Sequence, residues 1–122
     1  MFKRILCAAL IFAIVLSLCS CGKQVSDYAK EHGQISLEII EDYLDGNLTA
    51  DAAQNKLEVQ NDLIQQNCDK TETETGKYPY YDSYVATSIE ICRLAIFNHK
   101  LGSGSKESIK KAAKELKKDI NK

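Results

Sequence analysis

The chain has no tryptophan, one proline and one methionine in 122 residues, and aromatic residues make up only 7%. No alternating β-branched run with hairpin turns stands out, which argues against a sheet protein. Two histidines are present, in Glu31-His32 and Asn98-His99, without the paired spacing of a helical zinc motif. Six glycines are present, and none builds a phosphate-binding loop. Gly102-Ser-Gly-Ser105 lacks the Lys-Ser/Thr that completes a phosphate-binding loop. Nucleophile elbows and Ser/His patterns are missing too. The net charge of −1 excludes a strongly basic nucleic-acid binder, and the length excludes a two-domain enzyme. Glu38, Glu41 and Asp45 share one helical face, but nothing near them supplies the apolar pocket that raises the pKa of a general acid. No catalytic set and no cofactor are expected, and the chain does not read as an enzyme.

What the sequence does contain is concentrated at its start. Sixteen of the first twenty residues are hydrophobic. Lys3 and Arg4 precede an apolar run of fourteen residues, Ile5 to Leu18. That is short of the ~20 residues of a membrane-spanning helix and suits the core of an export signal. The run ends in Leu18-Cys19-Ser20-Cys21. The order of charge, apolar core, aliphatic residue, small residue and Cys resembles the lipobox of bacterial lipoproteins. The resemblance covers only these twenty-odd residues, with Cys19 where a small residue or Thr is more usual. It implies a diacylglyceryl group on the Cys21 thiol, cleavage just before Cys21, and palmitate-type acylation. Two acyl chains anchor stably where one does not. The expected layout is a signal peptide over 1–20, a lipidated Cys and short tether over 21–24, and a folded domain over 25–122. The expected place is the outer side of the cell membrane. An uncleaved anchor and a cleaved secreted form are the alternatives.

Without the signal, the chain is roughly 37% hydrophobic, below the ~45–50% of an average globular protein. Its apolar residues must therefore be well placed, and their spacing is helical. Val25, Tyr28, Ile35, Ile39 and Tyr43 predict a first helix over 25–44, with Gly33 as a possible kink and Asp45-Gly46-Asn47 as its stop. Thr49 caps a second over 50–67, lined by Ala53, Leu57, Gln60, Ile64 and Cys68. Residues 69–79 are polar, hold Gly76 and Pro79, and read as an exposed crossing loop. A third helix over 80–100 carries Tyr81, Val85, Ile89, Cys92, Ile96 and His99, with Tyr84, Ile91, Leu94 and Ala95 beside them. A last helix over 106–120 carries Ile109, Ala112, Ala113, Leu116 and Ile120. The fold class is all-α: a small four-helix bundle of two helical hairpins. Cys68 and Cys92 fall on apolar faces and read as two buried thiols, although export leaves a disulfide open.

The charge is polarised. Residues 24–69 carry a net −8 and residues 106–122 a net +4. Lys106, Lys110, Lys114 and Lys118 recur every four residues. Like charges at that spacing repel. Three outlets are open: a solvated face beside the acidic helices, an anionic membrane surface, or an acidic envelope partner. Four of the six tyrosines, Tyr78, Tyr80, Tyr81 and Tyr84, fall within seven residues. Tyr gives rigid contact area with a polar tip, which suits a binding surface or a cap on the bundle end. The candidate function is a lipid-anchored, non-catalytic protein-binding or adaptor module. The alternative is a bundle that binds a small ligand or a metal in its core. Tyr78, Tyr80, Tyr81, Tyr84 and the four lysines are the candidate partner-binding residues.

Overall fold

The computed structural model describes residues 24–122. Cys21 and the export segment lie outside the described residues. Four helices follow in order: α1 (Asp27–Leu44), α2 (Ala50–Thr75), α3 (Tyr80–Lys100) and α4 (Lys106–Ile120). Three of them start on a hydroxyl cap. Ser26 accepts from the Ala29 N–H, Thr49 from the Ala52 N–H and Ser105 from the Ser108 N–H. Each bond satisfies a donor that the first helical turn leaves without a partner.

The crossing loop is shorter than the sequence reading had it. Helix α2 continues through Thr75, so residues 69–75 are helical and only 76–79 connect α2 to α3. Nothing between Asn67 and Thr75 stops a helix. Thr71, Thr73 and Thr75 each donate to the carbonyl four residues back, at 2.8, 3.0 and 2.7 Å. The stop comes at Gly76, whose φ of 73° closes the helix and sends its N–H to the Glu72 carbonyl. Polarity made this stretch exposed; it did not make it a loop.

The helices run up, down, up, down. Helix α3 is central and packs against the other three, while α2 and α4 flank it and do not meet each other. Helices α1 and α3 run parallel across the bundle, tied at both ends. Ser26 meets Asp82 at one end and Tyr43 meets His99 at the other. Ser88 donates to Asp119 within the α3–α4 hairpin, and Lys100 at the end of α3 reaches Asp51 at the start of α2, which joins the two hairpins. Between them lies one core, built on Ile40, Leu57, Ile64, Ile89, Ile96 and Leu116, all fully buried. Burying each such side chain contributes ~1.5–3 kcal/mol.

Gly33 does not interrupt α1. It lies inside an unbroken helix, and a Cβ there would stand 2.6 Å from Ile120 Cγ1. The glycine is the notch that admits the last buried residue of α4. Gln24 N–H bonds the Lys122 carbonyl beside it at 3.3 Å, which brings the two ends of the described chain together.

Candidate docking face on the third helix

Helix α3 carries large apolar residues on two opposite sides. One side, from Val85 through Ile89, Cys92 and Ile96, is in the core. The opposite side faces solvent and is also apolar. Tyr80 is 63% exposed, Tyr84 50%, Ile91 52%, Leu94 44% and Leu101 62%. Phe97 and Tyr81 extend the surface on either flank. A helix with two apolar sides is ordinarily covered on both. Here half of that burial is missing. At ordinary side-chain areas these seven residues expose on the order of 700 Å², above the ~300–600 Å² of the largest patch on a typical monomer.

The candidate tyrosines divide between two jobs. Tyr78 is half-buried against the core. It packs from the α2–α3 connection onto the buried residues and so acts as an internal strut. Tyr80 and Tyr84 stand on the outer face of α3. Each packs edge-to-face against a neighbouring tyrosine: Tyr78–Tyr80 at 5.2 Å and Tyr81–Tyr84 at 5.8 Å between ring centroids. Tyr81 lies on the flank. Ile91 and Leu94, read from the sequence as neighbours of the core stripe, belong instead to the outer face. Their signal was in the sequence. Positions 80, 84, 87, 91, 94, 98 and 101 repeat at four, then three residues, on the side opposite Val85, Ile89 and Ile96.

The orientation of α3 rests on Asp82. It is 2% exposed, and its carboxylate accepts from the Ser26 N–H at 2.8 Å and the Ser26 hydroxyl at 2.6 Å. In a capping box, an acidic or amide side chain three residues into a helix returns to the cap N–H of the same helix. Residue 29 of α1 is a buried alanine and cannot do this. Asp82 supplies the carboxylate from α3 instead. One side chain therefore closes the start of α1 and fixes how α3 sits against it. The sequence reading missed Asp82, because a buried carboxylate in a tyrosine-rich turn has no linear signature.

The lysines of α4 recur along one side of the helix and are partly answered by carboxylates. Lys106 is exposed at the helix start, Lys110 pairs with Glu107 at 3.4 Å, and Lys118 pairs with Glu115 at 3.1 Å. Lys110, Lys114 and Lys117 also line an open cleft of about 410 Å³ between α4 and α1. Its other wall carries Glu38 and Glu41, and Leu37, Ile40 and Ala113 line it as well. Acidic and basic helices thus lie side by side, which relieves repulsion within α4. Lys117 joins this set although its spacing is not that of the other four.

The two described cysteines are free and buried. Burial pushes the Cys92 thiol up to about 12. Burial, with Asp82 and Asp69 nearby, pushes Cys68 up to about 11, against a small opposing pull from Tyr78. Neither is poised as a nucleophile. Arg93 grips Glu90 through two bonds and holds its carboxyl below the usual range. Among the described residues, no three His, Cys, Asp or Glu side chains gather as a metal-binding group. Among the same residues, no helix is long and apolar enough to cross a membrane. Compared with known proteins, the chain matches no family model, no curated protein and no solved structure.

Proposed function

We propose that this protein is a lipid-anchored, extracytoplasmic lipoprotein whose helical bundle is a non-catalytic protein-docking module. The observation that carries the docking part is the outer face of α3. Tyr80, Tyr84, Ile91, Leu94 and Leu101 are held in water by a bundle whose core is already complete without them. The residue types fit a protein partner: tyrosine and large aliphatics desolvate readily and lose little side-chain entropy. The anchor rests on the resemblance of Leu18-Cys19-Ser20-Cys21 to a lipobox, with Cys21 as the acylated residue. The partner belongs to the envelope, and the module supplies a surface rather than a reaction.

Two measurements test this. Metabolic labelling with palmitate is expected to mark the wild type and not Cys21→Ser; label retained in the variant overturns the anchor. For docking, a photoreactive side chain replaces Leu94 in the full chain in intact cells, with a control at exposed Glu58 on α2. Protein adducts are expected from position 94 and few from position 58. No adduct from position 94 above the control overturns the docking face.

A further inference from the structure

The chemistry along the outer face of α3 is more specific than exposed apolar area. From Tyr80 to Leu101 the face alternates spacings of four and three residues: Tyr80, Tyr84, Thr87, Ile91, Leu94, Asn98, Leu101. That is the seam of a coiled coil, running about three heptads. Tyr84, Ile91 and Asn98 take the a positions; Tyr80, Thr87, Leu94 and Leu101 take d. Ile at a followed by Leu at d favours two parallel strands, and a single Asn at a fixes register and pairing number. All seven positions are solvent-exposed in the folded chain.

We propose that this seam pairs with the same seam of a second copy, in parallel, as a two-stranded interface. The inference rests on the reading of α3's outer face as a protein-docking surface, and names its occupant. Three observations choose the occupant. The first is the seam itself, which asks for a helix of its own periodicity. The second is area: the large apolar residues of the seam, with Tyr81 and Phe97 on its flanks, expose on the order of 700 Å² per copy, near the ~800 Å² per partner of a standard interface. The third is charge. Helices α2 and α4 flank α3 on opposite sides, and over their lengths carry net charges of −4 and +3. A two-fold axis running along α3 sets the α2 of each copy opposite the α4 of the other, acid against base. An axis across α3, as an antiparallel pair requires, sets α2 against α2 and α4 against α4. The charges therefore select the parallel arrangement, as does Asn98, which then meets Asn98 of the second copy. Residue 24 of both copies emerges at the same end, which suits two chains anchored in one surface.

The core is built from residues 25–120, so residues 24–122 are the folding unit for the test. Sedimentation equilibrium of this chain is expected to give a dimer. Ile91→Glu is expected to raise its dissociation constant at least 100-fold with an unchanged helical circular dichroism signal. Asn98→Ile, which removes the buried amide, is expected to lower it several-fold. A monomer at every concentration up to about 1 mM, or a dimer indifferent to Ile91→Glu, overturns the proposal. Orientation is read from cysteines: Tyr84→Cys and Asn98→Cys are each expected to form a disulfide with their own kind on oxidation. A disulfide found only between a mixed pair, position 84 to position 98, overturns the parallel arrangement. If the chain is a monomer and position 94 crosslinks to a different protein, the second copy is excluded while the docking face stands. If position 94 crosslinks to nothing, both fall.

Discussion

Replacing Asp82 with alanine is expected to destabilise the bundle by about 3 kcal/mol. The carboxylate is 2% exposed and accepts two bonds from Ser26, at 2.8 and 2.6 Å. A hydrogen bond to a charged group contributes ~1.5–3 kcal/mol, the lower end applying where water can replace it. Ser26 is exposed, so its N–H and hydroxyl regain water in part, and the two bonds together are put at about 2–2.5 kcal/mol. Asp82 also sits in the first turn of α3, where an acidic side chain adds ~0.3–1 kcal/mol. In a domain of this size, ~1 kcal/mol moves Tm by ~4–8 °C, so Asp82→Ala is expected to melt roughly 15 °C lower. Thermal unfolding followed at 222 nm measures it. Asp82→Asn keeps the shape and one acceptor and is expected to lose about half as much. Ser26→Ala with Asp82→Ala is expected to cost clearly less than the two separately, because they share a bond. A Tm drop under ~3 °C for Asp82→Ala, or additive single changes, refutes the view that this carboxylate closes α1 from α3.

Other consequences are as direct. Gly33→Ala should lower stability by ~1–2 kcal/mol, although the same change usually raises it in a helix, because the new Cβ meets Ile120 at 2.6 Å. Ile120→Val in the same chain should restore part of the loss in urea unfolding; no restoration would place the strain elsewhere. Cys68 and Cys92 should ignore Ellman's reagent at pH 8 in the folded chain of residues 24–122 and react once guanidinium unfolds it. Folding raises both thiol pKa values above their ordinary 9.0, to about 11 and about 12, so their contribution to stability is complete below pH 9 and declines as pH rises beyond it. Cys92→Val should accordingly lose less stability than the wild type between pH 9 and 11; an equal loss contradicts the assignment. Lys100→Ala breaks an exposed pair with Asp51 and should change stability by less than ~1 kcal/mol.

Much of this fold is legible in the sequence because its helices carry their own punctuation. Thr49 and Ser105 cap, Gly46, Gly76 and Gly102 stop, and Ile109, Ala112, Leu116 and Ile120 keep one stripe through α4. Two kinds of information were harder to read. The first is length where polarity hides a helix. Thr71, Thr73 and Thr75 look like loop residues, yet each closes a bond to its own helix. The second is which of two apolar faces is buried. Helix α3 presents Val85, Ile89 and Ile96 on one side and Tyr84, Ile91 and Leu94 on the other. Periodicity alone reports both as core. Only packing separates them, because α1, α2 and α4 between them cover one side and leave the other. Gly33 likewise reads as a weak point in a helix until Ile120 arrives from 87 residues away.

On the proposed reading, the outer face of α3 is covered by protein when the molecule works. Hydroxyl-radical footprinting of the full chain in the cells that express it tests this with an internal control. Val59, on the far side of α2, is 53% exposed in the single chain, comparable to Tyr84 at 50% and Leu101 at 62%. Tyr80, Tyr84, Leu94 and Leu101 are expected to be protected in the wild type and to label freely in Ile91→Glu, with Val59 labelled alike in both. Equal labelling of the α3 face in the two proteins, at the level each residue's exposure in the single chain predicts, would contradict the account.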